Sequence, residues 1–315
     1  MACTPSSDAA PTVAAADAAG EARWEPTPAE ILAAVRSLYA DEIKPVGRLL
    51  MKRLRELAAS ASGADVADVD AVPLVDPERL RAVCEASPAL VVEPAEGREF
   101  AAMLPCERGC FVDACSTVDP YPARVWEQAA AYFDAMDETA GQLPCGRYAC
   151  AMELRARAAP FLAGRTLGEA CHIVQLAIST KLLLGYADGF LVPYARSEKC
   201  AKAMNAVRQQ PTRTSKQQES APFPYATWED VRRGLPYILQ RSRKPAPGVI
   251  TVSNIKRLFR SELSLELCET VLGHSRVWEL LKDERVRDLC QVDAVSHGQA
   301  FVRSVACKPE EAHRA

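Results

Sequence analysis

Lys256, Arg257 and Arg260 recur at spacings of one, three and four residues. On a helix they gather on a face apart from the apolar stripe of Ile255, Leu258, Phe259 and Leu263. A cationic ridge of this kind suits phosphate contact, because lysine and arginine neutralise a polyanion without reading its sequence. Arg232, Arg233, Arg241, Arg243 and Lys244 add charge from the preceding helix and the loop after it, where Pro245 and Pro247 keep the chain extended. The bland alternative is a solvated basic face, the usual fate of a charge run. Trp278 lies beside the inward stripe of Val277, Leu280 and Leu281, next to Arg276. An exposed indole there would stack on a base, a contact worth roughly 1–3 kcal/mol; filling a gap against a hairpin or a neighbouring domain is the favoured alternative. His297, in the turn Ser296-His297-Gly298-Gln299, either reaches a phosphate or is simply an exposed turn residue.

Other chemistry finds little support. His172 lies one residue off the stripe of Leu167, Cys171, Val174 and Ile178, without an acidic or thiol partner at catalytic spacing, and is read as structural. Cys106, Cys110, Cys115, Cys145 and Cys150 form the dense thiol group, but their gaps are too long for paired C-x2-C zinc ligands and no histidine pair converges on them. No nucleophile elbow, phosphate loop, dinucleotide fingerprint or zincin motif is present. The chain is expected to be non-catalytic, with no metal and no cofactor.

The formal charge of −3 over 315 residues conceals a division. Residues 1–195 hold 17 Lys/Arg against 27 Asp/Glu, whereas residues 196–315 hold 21 against 14. Residues 196–260 alone hold 14 basic and 4 acidic side chains, which makes a polyanion the first partner to consider. Half the residues are apolar but only 6% are aromatic, and there are 22 prolines, a composition suited to several small cores. No apolar run approaches the roughly 20 residues needed to span a bilayer, so no membrane partner is expected. Met1 to Gly20 lack the apolar core of a secretory leader, and the twelve cysteines are read as free thiols in a reducing compartment.

The elements that must carry these residues repeat. Three times the order is helix, helix, helix, then a two-stranded ribbon around a glycine turn: Leu90–Glu93 with Phe100–Met103, Leu182–Tyr186 with Phe190–Tyr194, and Cys290–Val295 with Ala300–Arg303. Apolar residues three and four apart mark the helices, and Pro236 is expected to kink or end the first helix of the third set. The predicted fold is helix-rich α+β, in three tandem winged-helix-like units at 26–105, 106–195 and 223–305. A basic flexible linker is expected over 196–222, with disordered tails at 1–25 and 306–315.

The segment from Ile255 to Val292 resembles the LOTUS domain, also called the OST-type helix-turn-helix. The likeness rests on the leucine-rich second helix, the turn Leu272-Gly273-His274-Ser275, the pair Leu280-Leu281 and the closing strand. It covers about residues 225–305, and a more remote likeness over 120–195 includes the Leu167-Gly168 turn. The chain departs from the pattern at Trp278, where a small polar residue is expected. The resemblance implies a winged helix that binds structured or G-rich RNA, or that docks a DEAD-box RNA helicase in ribonucleoprotein granules. The leading expectation is an RNA-binding adaptor in the cytoplasm, with a nuclear location left open. A docking scaffold is the second reading. DNA binding ranks third, because the segment from Ser275 to Asp283 offers Arg276 alone against Glu279 and Asp283.

Overall fold

Thr27, Thr166 and Thr227 each stand three residues ahead of a carboxylate, Glu30, Glu169 and Asp230, and each pair closes a capping box at the start of a helix. These boxes satisfy backbone donors that a helix start leaves open. In the computed structural model the described residues are 13–14, 23–61, 72–95, 97, 99–105, 109–137, 142–212, 223–243, 246–294 and 300–305.

The first set comprises β1 (Val13–Ala14), β2 (Arg23–Trp24), α1 (Pro28–Ala40), α2 (Gly47–Ala61), β3 (Leu74–Val75), α3 (Pro77–Ala86) and the hairpin β4 (Val91–Pro94) with β5 (Phe100–Met103). β2 pairs antiparallel with β1 and parallel with β3. The second set is α4 (Ala123–Asp134), α5 (Arg147–Ala156), α6 (Leu167–Ser179) and the hairpin β6 (Leu184–Ala187) with β7 (Phe190–Pro193), followed by α7 (Glu198–Arg208). The third is α8 (Trp228–Arg241), β8 (Val249–Thr251), α9 (Ile255–Leu263), α10 (Val277–Leu280), β9 (Cys290–Ala294) and β10 (Ala300–Ser304). The class is α+β, with helices carrying small sheets, as expected.

In the third set β10 lies between β8 and β9, antiparallel to both, so the strand that follows the first helix pairs with the far strand of the hairpin. Single antiparallel bridges occupy the corresponding place in the other sets: Val46 with Ala101 of β5, and Leu143 with Leu191 of β7. One bridge, or three residues in β8, is too short to leave a periodic signature, which is why this strand position escaped the sequence reading.

Three expectations need correction. Glu198–Arg208 is helix α7 rather than flexible linker: Ser197 caps it by accepting from the Cys200 N–H, and with Ala206 its buried residue it shows little apolar periodicity. α8 runs through Pro236 rather than ending there, because the ring removes one donor while Leu235, Ile238 and Leu239 on either side are buried and hold the turns. The short strands β1 and β2 fall within the stretch assigned to a disordered tail; residues 1–12, 15–22 and 306–315 lie outside the described residues.

The chain divides into two compact units, Met1–Ala135 with Pro144–Leu182, and Met136–Leu143 with Leu183–Ala315. In the first, Ile31, Val35 and Leu38 of α1 are buried, as are Leu50 and Leu54 of α2 and Phe133 of α4, while α6 buries nine of its thirteen residues. Arg53 is buried as well. It reaches Asp41 at 2.7 Å, Ser37 at 2.5 Å and Glu56 at 3.3 Å, and Arg155 meets the other oxygen of Asp41 at 3.2 Å, so two cations face two carboxylates. His172 is also buried, with Nδ1 3.1 Å from the Tyr121 hydroxyl and Nε2 3.1 Å from the Ser116 carbonyl. The core of the third set, in the second unit, is built on Val231, Leu235, Ile250, Ile255, Phe259, Leu280, Leu281, Val286 and Val302.

Candidate nucleic-acid interface

α9 carries the ridge because Ile255 and Phe259 are fully buried and turn the intervening basic residues outward. The ridge does not stand as bare charge. Lys256 forms an ion pair with the buried Glu269, and Arg260 grips both oxygens of Glu266 at 2.7–2.9 Å. The left-handed backbone of Ser264 (φ 53°) ends α9 shortly before both acids. Arg257 stays exposed and forms no ion pair with any described residue.

The cations of α8 are similarly engaged. Arg232 binds Asp288 bidentately at 2.9 and 2.8 Å and donates to the Arg285 carbonyl; Arg233 pairs with Asp230 at 2.9 Å. Arg241 lies 3.8 Å from Glu262 and over the Tyr237 ring. Hydrogen bonding to Arg232 holds the Asp288 carboxyl below the usual carboxylate range. Arg243 is exposed and forms no ion pair with the described residues. Lys244 and His297 lie outside the described residues.

Around Trp278 the arrangement differs. Gly273, at φ +86°, reverses the chain, and the His274 N–H returns to the Glu269 carbonyl at 2.9 Å. The next turn is pinned by Glu279, which accepts from the Ser275 hydroxyl at 2.8 Å and the Arg276 N–H at 3.1 Å. α10 follows with Leu280 inside and Trp278 outside, 37% exposed. Lys282 Nζ lies 5.0 Å from the indole centroid and the Arg276 guanidinium 6.0 Å. Neither cation forms an ion pair with a described residue, so an aromatic face stands between two unmatched charges.

A second aromatic cluster ties the start of α8 to the segment after α10. Arg285 lies over the Trp228 ring at 4.7 Å, His274 meets that ring edge-on at 5.8 Å, and His274 Nε2 is 2.9 Å from Asp283. Burial alone would raise the Asp283 carboxyl, but the Arg285 N–H and the His274 contact bring it below the ordinary range. Trp228, His274, Lys282 and Arg285 were not among the candidate site residues drawn from the sequence. Lys282, four residues after Trp278 and just beyond α10, carried a usable signal, whereas the Trp228 cluster joins residues far apart in the chain.

The helix proposed to read bases is short. α10 has four residues, and hydrogen-bonded turns continue to Leu289. Among the described residues no group of His, Cys, Asp and Glu is arranged to hold a metal ion, and no helix is long and apolar enough to cross a membrane.

Residues 137–212 match the family model described as the OST-HTH Associated domain. No curated protein and no solved structure matches the chain. The match bears out the likeness to OST-type proteins. It overlaps the remote likeness over 120–195 and adjoins the segment 225–305. The chain thus carries a region similar to the OST-HTH Associated domain, spanning α5, α6, β6, β7 and α7, followed by a basic module of three helices and a three-stranded sheet.

Proposed function

We propose that the chain is a non-catalytic RNA-binding adaptor whose last module takes unpaired bases on Trp278 and phosphates on the cations around it. The observation that carries this reading is the half-exposed indole flanked by Arg276 and Lys282, with Arg257 and Arg243 also exposed and outside any ion pair with the described residues. Aromatic stacking between cations suits single-stranded or looped RNA, where base faces are open. A major-groove role draws less support, since one turn of α10 with Arg276 beside Glu279 offers little base-edge readout. The region similar to the OST-HTH Associated domain adds weight to an RNA-linked role.

The test is fluorescence anisotropy of the full chain with G-rich, U-rich and duplex RNA at several salt concentrations. Binding to unpaired RNA should fall steeply with salt and should weaken on Trp278→Ala and on Arg257→Glu. Affinity indifferent to both substitutions, or a preference for duplex, would overturn the proposal.

A further inference from the structure

The acidic balance of residues 1–195 hides a basic groove. α2 presents Arg48, Lys52 and Arg55 at spacings of four and three, so the three fall on one face. That face lines an open groove of about 1000 Å3, whose opposite wall is the stripe Ala149, Met152, Glu153 and Ala156 of α5. Met51 and the exposed Leu57 and Leu74 complete an apolar floor. The volume lies at the upper limit of the roughly 300–1,000 Å3 typical of small-molecule pockets, and the walls are helix faces, so the shape fits an elongated guest.

Charge identifies the guest. The three carboxylates that line the groove are already engaged: Asp41 with Arg53 and Arg155, Glu153 with Arg157 at 2.6 Å, and Glu56 with the Tyr148 hydroxyl at 2.6 Å and Arg53. On the cationic side, Arg48 and Lys52 form no ion pair with any described residue, and Lys52 lies 4.4 Å from the centre of the Tyr148 ring. The groove is therefore apolar along its floor and positive along one wall. A helix with an apolar stripe and acidic flanks satisfies both requirements, with anchors at the i, i+3, i+4 and i+7 spacing of helix-in-groove recognition. Nucleic acid fits less well, since methionine and leucine offer bases no stacking platform of the kind found at Trp278.

We propose that the α2–α5 groove is a docking site for an acidic amphipathic helix of a partner protein. The site uses none of the residues of the Trp278 surface and does not depend on RNA binding.

The test titrates the full chain into labelled helical peptides of about 16 residues, long enough to hold helix. One set carries leucine anchors on a glutamate background, and a control set carries the same anchors on lysine; U-rich RNA serves as competitor. The acidic peptides should bind saturably and the lysine peptides should not. The double variant Arg48→Glu/Lys52→Glu should weaken binding about tenfold or more. Ala156→Trp, which fills the groove without changing charge, should do the same, and Trp278→Ala should have no effect. The proposal is overturned if the unaltered chain binds neither peptide set or binds both equally. It is overturned too if variants with unchanged circular dichroism retain full affinity, or if U-rich RNA displaces the peptide and loses its own affinity in the double variant. The comparison of peptide charge uses the unaltered chain, so it decides even where a variant fails to fold.

Discussion

Replacing Trp278 by alanine separates recognition from packing. The indole is 37% exposed, so part of its surface is already covered and the rest faces solvent between Arg276 and Lys282. If the open face stacks on a base, its removal costs about 1–3 kcal/mol of binding, or about 5- to 150-fold in affinity. The cost to folding should stay below the roughly 3–5 kcal/mol of a fully buried aromatic. Trp278→Ala removes no charge, so the slope of log affinity against log salt should not change. Lys282→Gln should lower that slope by about 0.7 if the lysine meets a single-strand phosphate. A double-mutant cycle on Trp278 and Lys282 should give a coupling of about 0.5–1 kcal/mol if the cation and the ring act together. Anisotropy with a U-rich strand reads the affinities, and urea denaturation reads the stability of each variant. Unchanged affinity with a large loss of stability would refute the reasoning and make Trp278 a packing residue.

Thr227→Ala removes the capping box of α8, in which the hydroxyl accepts from the Asp230 N–H, and should cost about 1 kcal/mol in urea denaturation. Gly168→Ala should destabilise by about 1–3 kcal/mol, because a Cβ there would stand 2.7 Å from the Glu42 carbonyl oxygen and 2.9 Å from that of Asp41, backbone atoms that cannot move aside cheaply. Burial pushes the Cys150 thiol up to about 12 and the Cys171 and Cys290 thiols up to about 11, so alkylation near neutral pH followed by mass spectrometry should mark the exposed Cys110, Cys115 and Cys145 first. Asp283 and Asp288 have folded-state pKa values below the ordinary 3.8. Their contribution to stability is present above that value and is lost as pH falls through the lower folded one, so Asp288→Asn should lower stability at neutral pH and flatten the acid limb of a pH-stability curve.

Much of the fold was legible because helices and hairpins are local. The stripe of Ile255 and Phe259 and the glycine turns of the hairpins announce themselves within a dozen residues. What could not be read locally was the pairing of charges. Arg232 finds Asp288 56 positions away, and Arg260 finds Glu266 only because the chain turns at Ser264. A local excess of basic over acidic residues counts charges without regard to these closures, so it marks a basic region without showing which cations remain unpaired. The same counting hid the groove on α2: Arg48, Lys52 and Arg55 share a helix face in plain view, yet they lie within an acidic stretch whose total masks them.

The ion pairs also change what the basic module asks of a ligand. Arg232, Arg260 and Lys256 are held by acids of their own unit, so a phosphate that takes one of them must displace a carboxylate already in place. Arg257, Arg243, Arg276 and Lys282 form no ion pair with the described residues, and a phosphate meets them without that competition. Charge reversal should therefore weaken RNA binding more at Arg257 than at Arg260, although both belong to α9. At Arg260 the change also leaves Glu266 without its partner, so its effect should appear in stability before it appears in affinity.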